Sequence, residues 1–326
     1  MSFPITAPIA AQDAAHRRHV LLGILAAMAG AAVLSVNDLA IKMLSGGYPL
    51  HEVVLARACI AFAFILCFIP LSGQSYRLLR TRRPLMHLGR ASIVMVSNVT
   101  YFLGLAALPI ANAQAIGFAS PLIMTVLSVV ILRERVGIHR WGAVVVGLAG
   151  VLIMLRPEGA GSVQPAAVLV LISAFCYACS QIMTRKMKDT ESAVTINFYT
   201  QIAFVLVSAT MGLAAGDGHF AGSSDASLAF LFRVWSWPPT GDLPYFLATG
   251  LAVAIGGMLI SQAYRMNETA LVAPFEYTSM PLGILWGVLF FGTFPDLQGW
   301  IGIVLIIGAG LYTLWRETVR GRLYGG

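Results

Sequence analysis

Apolar residues fall in ten long, uninterrupted blocks along the chain: 20–43, 50–71, 85–107, 111–132, 138–156, 165–186, 194–215, 243–264, 270–292 and 297–316. They do not alternate with the period of two that a half-buried strand requires. Crossing the hydrocarbon of a bilayer, roughly 30 Å thick, takes about 20 residues of helix. Lipid offers no partner to an open backbone N–H or C=O, so only helices or closed barrels span it, and continuous apolar runs select helices. The breaks carry turn chemistry: Gly46-Gly47-Tyr48-Pro49, Leu108-Pro109 and Arg156-Pro157-Glu158-Gly159. One connection is longer, 216–242, rich in Gly, Ser and Asp and closed by Trp235-Ser236-Trp237-Pro238-Pro239. Its indole rings suit the membrane interface.

Composition strengthens this reading. Of 326 residues, 58% are hydrophobic and 11% charged, against about 25% charged in soluble domains. The N-terminal His16-Arg17-Arg18-His19 followed by an apolar run has the look of a secretory leader. That run continues to Asn37-Asp38 and more blocks follow, which makes it a first transmembrane helix. The net charge of +7 would suit nucleic acid, but the placement of the basic residues excludes it. With the N-terminus in the cytoplasm, Arg17, Arg18, Arg77, Arg80, Arg82, Arg83, Arg133, Arg135, Arg140, Arg185, Lys186, Lys188, Arg265, Arg316, Arg320 and Arg322 all fall inside. These are sixteen of the 21 Lys and Arg. Arg156 and Arg233 fall outside; Lys42, Arg57 and Arg90 lie within spans. Such a bias sets orientation and places both termini in the cytoplasm. All four cysteines sit in apolar runs. Cys176-x-x-Cys179 has no second pair at ligand spacing and reads as small packing residues.

The chain repeats itself weakly but in order. Ile60-Ala61-Phe62 in the second block matches Ile202-Ala203-Phe204 in the seventh, Pro121 in the fourth matches Pro281 in the ninth, and Trp141 matches Trp300. Each half then holds five spans, and an odd number makes the second half enter the membrane in the opposite sense. The expected architecture is an all-α integral membrane protein of ten helices in two inverted five-helix repeats. A tail over 1–19 precedes the first repeat at 20–156; the second, 165–316, contains the long external connection, and 317–326 forms a final tail.

Ser120-Pro121 in the fourth block, Arg133-Glu134-Arg135 before Trp141-Gly142, and Ala273-Pro274-Phe275-Glu276-Tyr277-Thr278 in the ninth resemble the drug/metabolite transporter superfamily, EamA-domain branch. The resemblance spans about 20–316, and its strength lies in the order of short motifs. Arg133-Glu134 stands where the family's first repeat often has Gly-Glu, and Gly292-Thr293 lacks the acid in the second. Asn37-Asp38, Lys42 and Arg57 are similar to a sub-branch handling amino-acid-like metabolites, S-adenosylmethionine and riboflavin. The resemblance implies a secondary transporter in the cytoplasmic (inner) membrane of a bacterium, working by alternating access on riboflavin or a similar flat, aromatic metabolite. Export of amino acids or drugs, or S-adenosylmethionine transport, stays open. So do the other classes: a scramblase, an assembly subunit, or an intramembrane enzyme needing two catalytic groups at one depth.

Ionisable groups inside the spans are costly, about 2.5–3.5 kcal/mol each at a helix centre, and usually face a cavity or a partner. Asp38 and Lys42 are four apart and able to pair on one helix face. Arg57 is a candidate anchor for an anionic substrate group with Asp38 as counter-ion, or one member of a structural salt-bridge cluster. Lys42 is also able to snorkel outward. Glu276, between Pro274 and Pro281, is a candidate partner for a coupling proton or a substrate amine, or a helix cap near the cytoplasmic end. Pro121, Pro274 and Pro281 are candidate helix interruptions that free backbone carbonyls to line a cavity. Gln114, Phe118, Pro121 and Thr125 share one face of span four; Glu276, Met280, Gly283 and Gly287 share one of span nine. These faces are expected to meet across a central cavity. Ser97 with the adjacent Asn98, Tyr101, Tyr177, Gln181, Thr184, Ser261, Gln262, Tyr264 and Tyr277 complete the candidates, suited to stacking and hydrogen bonding with a polar-edged substrate. Arg90, near the cytoplasmic end of its span, is expected at the interface. With no P-loop, H-E-x-x-H, G-x-S-x-G or metal cluster, no catalytic residue, cofactor or metal is expected, nor ATP-driven pumping by this chain alone. The expected partners are a small molecule and the lipid bilayer.

Overall fold

A computed structural model describes residues 9–133, 137–154 and 164–319. Every regular element among them is helical. The helices are α1 (Ile9–Leu44), α2 (Leu50–Leu71), α3 (Pro84–Ala107), α4 (Ile110–Gly117), α5 (Ala119–Leu127), α6 (Ile138–Met154) and α7 (Pro165–Lys186). They continue as α8 (Ala193–Ala215), α9 (Ala226–Phe232), α10 (Leu243–Met266), α11 (Thr269–Val272), α12 (Ser279–Phe291) and α13 (Leu297–Val319). Seven stretches are long and apolar enough to cross a membrane: Arg18–Leu44, Leu50–Leu71, Pro84–Ala107, Ile110–Leu132, Pro165–Lys186, Ala193–Ala215 and Leu243–Met266. Trp141–Met154 and Leu297–Tyr312 are apolar but shorter. The motif residues Glu134 and Arg135, and Arg156, lie outside the described residues.

Helix ends follow local chemistry. Pro84 and Pro165 open α3 and α7 at positions whose N–H would have no helical partner. Ser192 caps α8 by accepting from Thr195 N at 3.0 Å. Gly292, at φ 60°, ends α12 in the left-handed conformation that glycine adopts freely.

The long connection contains a helix, α9. Asp225 caps it by accepting from Ser227 N and Leu228 N at 2.9 and 3.0 Å. The Ser227 hydroxyl then donates to Leu103 O at 2.7 Å and Phe230 is fully buried, so α9 lies on the end of α3. About two turns of helix that bury one phenylalanine have too short a pattern to stand out from a Gly/Ser-rich sequence.

Helices pack in consistent partnerships: α1 on α10, α3 on α7, α2 on α8, α6 on α13 and α4 on α12. Small residues permit the close crossings. A Cβ on Gly256 would lie 3.2 Å from Gly30 O, and one on Gly150 would lie 3.0 Å from Gly302 O. Two clasps tie opposite ends of the bundle. At one end Glu191 Oε1 accepts from Thr81 Oγ1 at 2.8 Å and from Arg82 N at 3.0 Å, while Oε2 lies 3.3 Å from His87 Nε2. At the other, Glu52 Oε2 accepts from Ser236 N at 3.1 Å, and Tyr48 donates to Asp242 at 2.5 Å. His51 there packs beside Trp235, with ring centroids 5.8 Å apart. Between the clasps lies a cavity.

Candidate functional site

The cavity has a volume of about 260 Å³ and is lined from α1, α2, α3, the α4–α5 junction, α7, α8, α10 and the segment after α11. Two helix breaks shape it. Pro121 has no N–H to offer Gly117 O; α4 ends at Gly117 and α5 restarts at Ala119. After α11 the chain tightens into a 3₁₀ turn over Ala273–Thr278 containing Pro274, and α12 restarts at Ser279. Pro121 and Pro281 are each the third residue of the restarted helix, where a missing N–H is tolerated. Gly117, Ser120, Glu276 and Ser279, from the two breaks, all face the cavity.

The two faces expected to meet across the cavity instead touch directly, and of their residues Gln114, Phe118 and Glu276 line it while Pro121, Thr125, Met280, Gly283 and Gly287 do not. The Gln114 side chain occupies the space where a Cβ on Gly283 would stand. Phe118 and Tyr277 meet edge to face at 5.0 Å.

Asp38 and Glu276 line this one cavity but are held differently. Asp38 Oδ2 accepts from Tyr101 Oη at 2.9 Å and Gln114 Nε2 at 3.1 Å, and Oδ1 lies 3.4 Å from Asn37 Nδ2. Glu276 accepts from Tyr177 Oη at 3.0 Å and from the Tyr264 hydroxyl, with no cation beside it among the described residues. Arg57, 1% exposed, donates to Asn98 Oδ1 at 3.0 Å and lies 5.3 and 5.0 Å from the ring centroids of Phe102 and Phe204. It lines the same cavity as Asp38, and no ion pair joins them among the described residues.

Of the remaining sequence candidates, Ser97, Tyr101, Gln114, Phe118, Tyr177 and Gln181 line the cavity. Gln262 does not; its Oε1 accepts from Arg265 Nη1 at 2.9 Å. Tyr277 is buried against Phe118 and Gly310 rather than in the cavity wall. Two expectations are overturned. Lys42 does not pair with Asp38: its ammonium donates to Leu105 O, Ala106 O and Leu108 O at 2.6, 3.0 and 2.8 Å. Three carbonyls left open at the end of α3 are a better match for an amine with three protons. Nor does Arg90 stand on the protein's outer surface, as an interfacial arginine would; it is buried and lines the cavity.

Sequence reading missed the contribution of α8. Asn197, Thr200, Gln201 and Phe204 line the cavity, and the signal was present as amides and a hydroxyl at i, i+3 and i+4 in an otherwise apolar run. Tyr264, a sequence candidate, is fully buried with its hydroxyl on Glu276.

Comparison with known proteins decides the class. The sequence profile of the EamA-like transporter family matches residues 21–156 and again residues 164–315. The chain belongs to this family. It is a multi-pass membrane transporter. Among its relatives, a riboflavin transporter of Rhizobium johnstonii is 32% identical over 262 residues, 80% of each chain. An S-adenosylmethionine uptake transporter of Rickettsia prowazekii is 25% identical, over 87% of this chain and 89% of that one. A solved crystal structure superposes with a TM-score of 0.67 at 18% identity, over 93% of this transporter and 98% of that chain. At that identity the superposition establishes the fold alone.

Proposed function

We propose that this transporter carries a small, flat metabolite, with riboflavin the first candidate, across the inner membrane of a bacterium by alternating access of two inverted five-helix halves. The observation that carries the proposal is the single cavity that joins Asp38 of one half to Glu276 of the other. The helix partnerships support the inverted repeat. Taking α1, α2, α3, α4–α5 and α6 as equivalent to α7, α8, α10, α11–α12 and α13, the pair α1–α10 exchanges with α7–α3. The pairs α2–α8 and α6–α13 each map onto themselves, and α4–α12 exchanges with α11–α5. Both halves contribute to the wall, as expected where a site lies between repeats. The double match of the family profile supports the division at 20–156 and 165–316.

The chemistry follows from the two acids. Asp38, ringed by amide and phenol donors, offers fixed acceptors to a polar substrate edge, and Tyr101 and Phe118 beside it supply aromatic surface. Glu276, held only by hydroxyls, exchanges a proton without stranding a partner cation and serves as the coupling group. Bacteria expressing the chain are expected to show saturable uptake of labelled riboflavin, competed by unlabelled riboflavin. Glu276→Gln should lower it at least tenfold at normal protein level and abolish its response to an imposed proton gradient. Uptake no greater than in empty cells would discard riboflavin as substrate. S-adenosylmethionine, the named cargo of the Rickettsia relative, is the next to assay.

A further inference from the structure

Arg90 is 6% exposed and stands on α3 at the cavity wall. Its Nε donates to Thr184 Oγ1 of α7 and its Nη1 to Thr200 Oγ1 of α8, both at 2.8 Å. Neither acceptor is free to reorient. The Thr184 hydroxyl donates its own proton to Ser180 O at 3.0 Å, and the Thr200 hydroxyl donates to Ile196 O at 2.8 Å. Each therefore turns a lone pair toward the guanidinium, which is fixed in position by two helices without being neutralised. No carboxylate pairs with Arg90 among the described residues.

A guanidinium has five N–H groups in a planar fork. Two are engaged by the threonines, so three have no protein acceptor among the described residues. A cation held at a cavity wall by neutral hydroxyls keeps its full charge, and the partner it lacks among the described residues is a group of opposite sign entering the cavity. The matching ligand is planar or tetrahedral, negative and able to take parallel hydrogen bonds, which describes an oxyanion. The rest of α7 sets the distance. Tyr177, which holds Glu276, and Thr184, which holds Arg90, are seven residues apart on one helix, about 10 Å along its axis. That separation is the length of a small metabolite.

We propose that Arg90, fixed by Thr184 and Thr200, is a binding site for an oxyanion, a carboxylate or phosphate group, on the transported molecule. The site rests on the transporter reading above, and it commits to a charged substrate end that the flavin reading does not require. Binding to purified transporter in nanodiscs tests it, with riboflavin and riboflavin 5′-phosphate as a pair differing only in the oxyanion. Flavin fluorescence quenching should show the phosphate bound about tenfold more tightly by the wild type, an increment in keeping with one charge-assisted contact. Arg90→Met should equalise the pair, and Arg90→Lys should keep part of the preference at an unchanged melting temperature. Equal binding by the wild type overturns the assignment. A preference surviving in Arg90→Met overturns it too and moves the oxyanion to Arg57. Should Arg90→Met fail to fold, Arg90→Lys decides: an undiminished preference sinks the proposal. If neither flavin binds, the flavin substrate fails and inorganic phosphate at matched ionic strength becomes the probe. Phosphate raising the melting temperature of the wild type but not of the variants sustains the oxyanion site, and no rise in the wild type ends it.

Discussion

Gln114 shows how far a single side chain is committed. It donates to Asp38, and its other end fills the space above Gly283 on the opposing helix. A methyl group at 283 must displace it, and a flexible amide yields more cheaply than backbone. Gly283→Ala is therefore expected to fold, with a melting temperature within about 5 °C of wild type. It should raise the KM for transport severalfold, because Asp38 loses a donor worth roughly 1 kcal/mol or more. A KM unchanged at normal protein level would mean that Gln114 does not orient Asp38 for substrate. The position was half legible in the sequence. Gln114 and Glu276 stood out as polar groups on proline-broken apolar runs, but that Gly283 exists to admit Gln114 is a three-dimensional fact. Arg90 illustrates the opposite error: its residue type was noticed and its burial missed, since a position near a helix end does not say what packs over it.

Among elements, the clasp on Glu191 joins the linker 72–83 to the start of α8. Burial alone would raise the carboxyl above the usual range, but the bonds from Thr81, the Arg82 amide and His87 outweigh it and leave Glu191 below its ordinary 4.5. A carboxylate depressed in the folded state stabilises the clasp above its unfolded value, and that stability is lost as pH falls through the folded one. Hydrogen exchange of residues 76–82 should accordingly quicken only below the normal carboxylate range, and Glu191→Gln should quicken it at neutral pH. Exchange insensitive to both would mean that Thr195 and Tyr199, which hold Leu78 O and Leu79 O, carry the contact alone. At this scale the apolar blocks foretold most helices to within a few residues, because lipid forces long apolar runs into one kind of element, but α1 starts well before its block at Ile9 and the fourth and ninth blocks each break in two. The clasps were not foretold: their bonds run between linkers more than 100 positions apart, and no local pattern encodes them.

For the whole molecule, the proposed orientation puts the Glu191 clasp inside the cell and the Glu52 clasp outside. Single cysteines introduced at exposed Gln74 and Ser224, in a background without the four native cysteines, test it. In intact cells an impermeant maleimide should label position 224 and spare position 74; the reverse pattern would invert the topology. The bias of arginines already carried this expectation, whereas the helix partnerships that support the inverted repeat emerged only from packing. One pair of contacts gains meaning from that equivalence. Lys42, at the end of α1, grips the last carbonyls of α3, and Arg185, at the end of α7, donates to Arg265 O near the end of α10 at 3.2 Å. If the halves are related as proposed, these are the same rivet driven through opposite faces. In each half the first and third helices are pinned at one tip, which leaves the other as the end where a rocking motion would part them. Spin labels bridging the pinned tips should then hold a constant separation throughout a transport cycle, while labels at the other tips alternate between two.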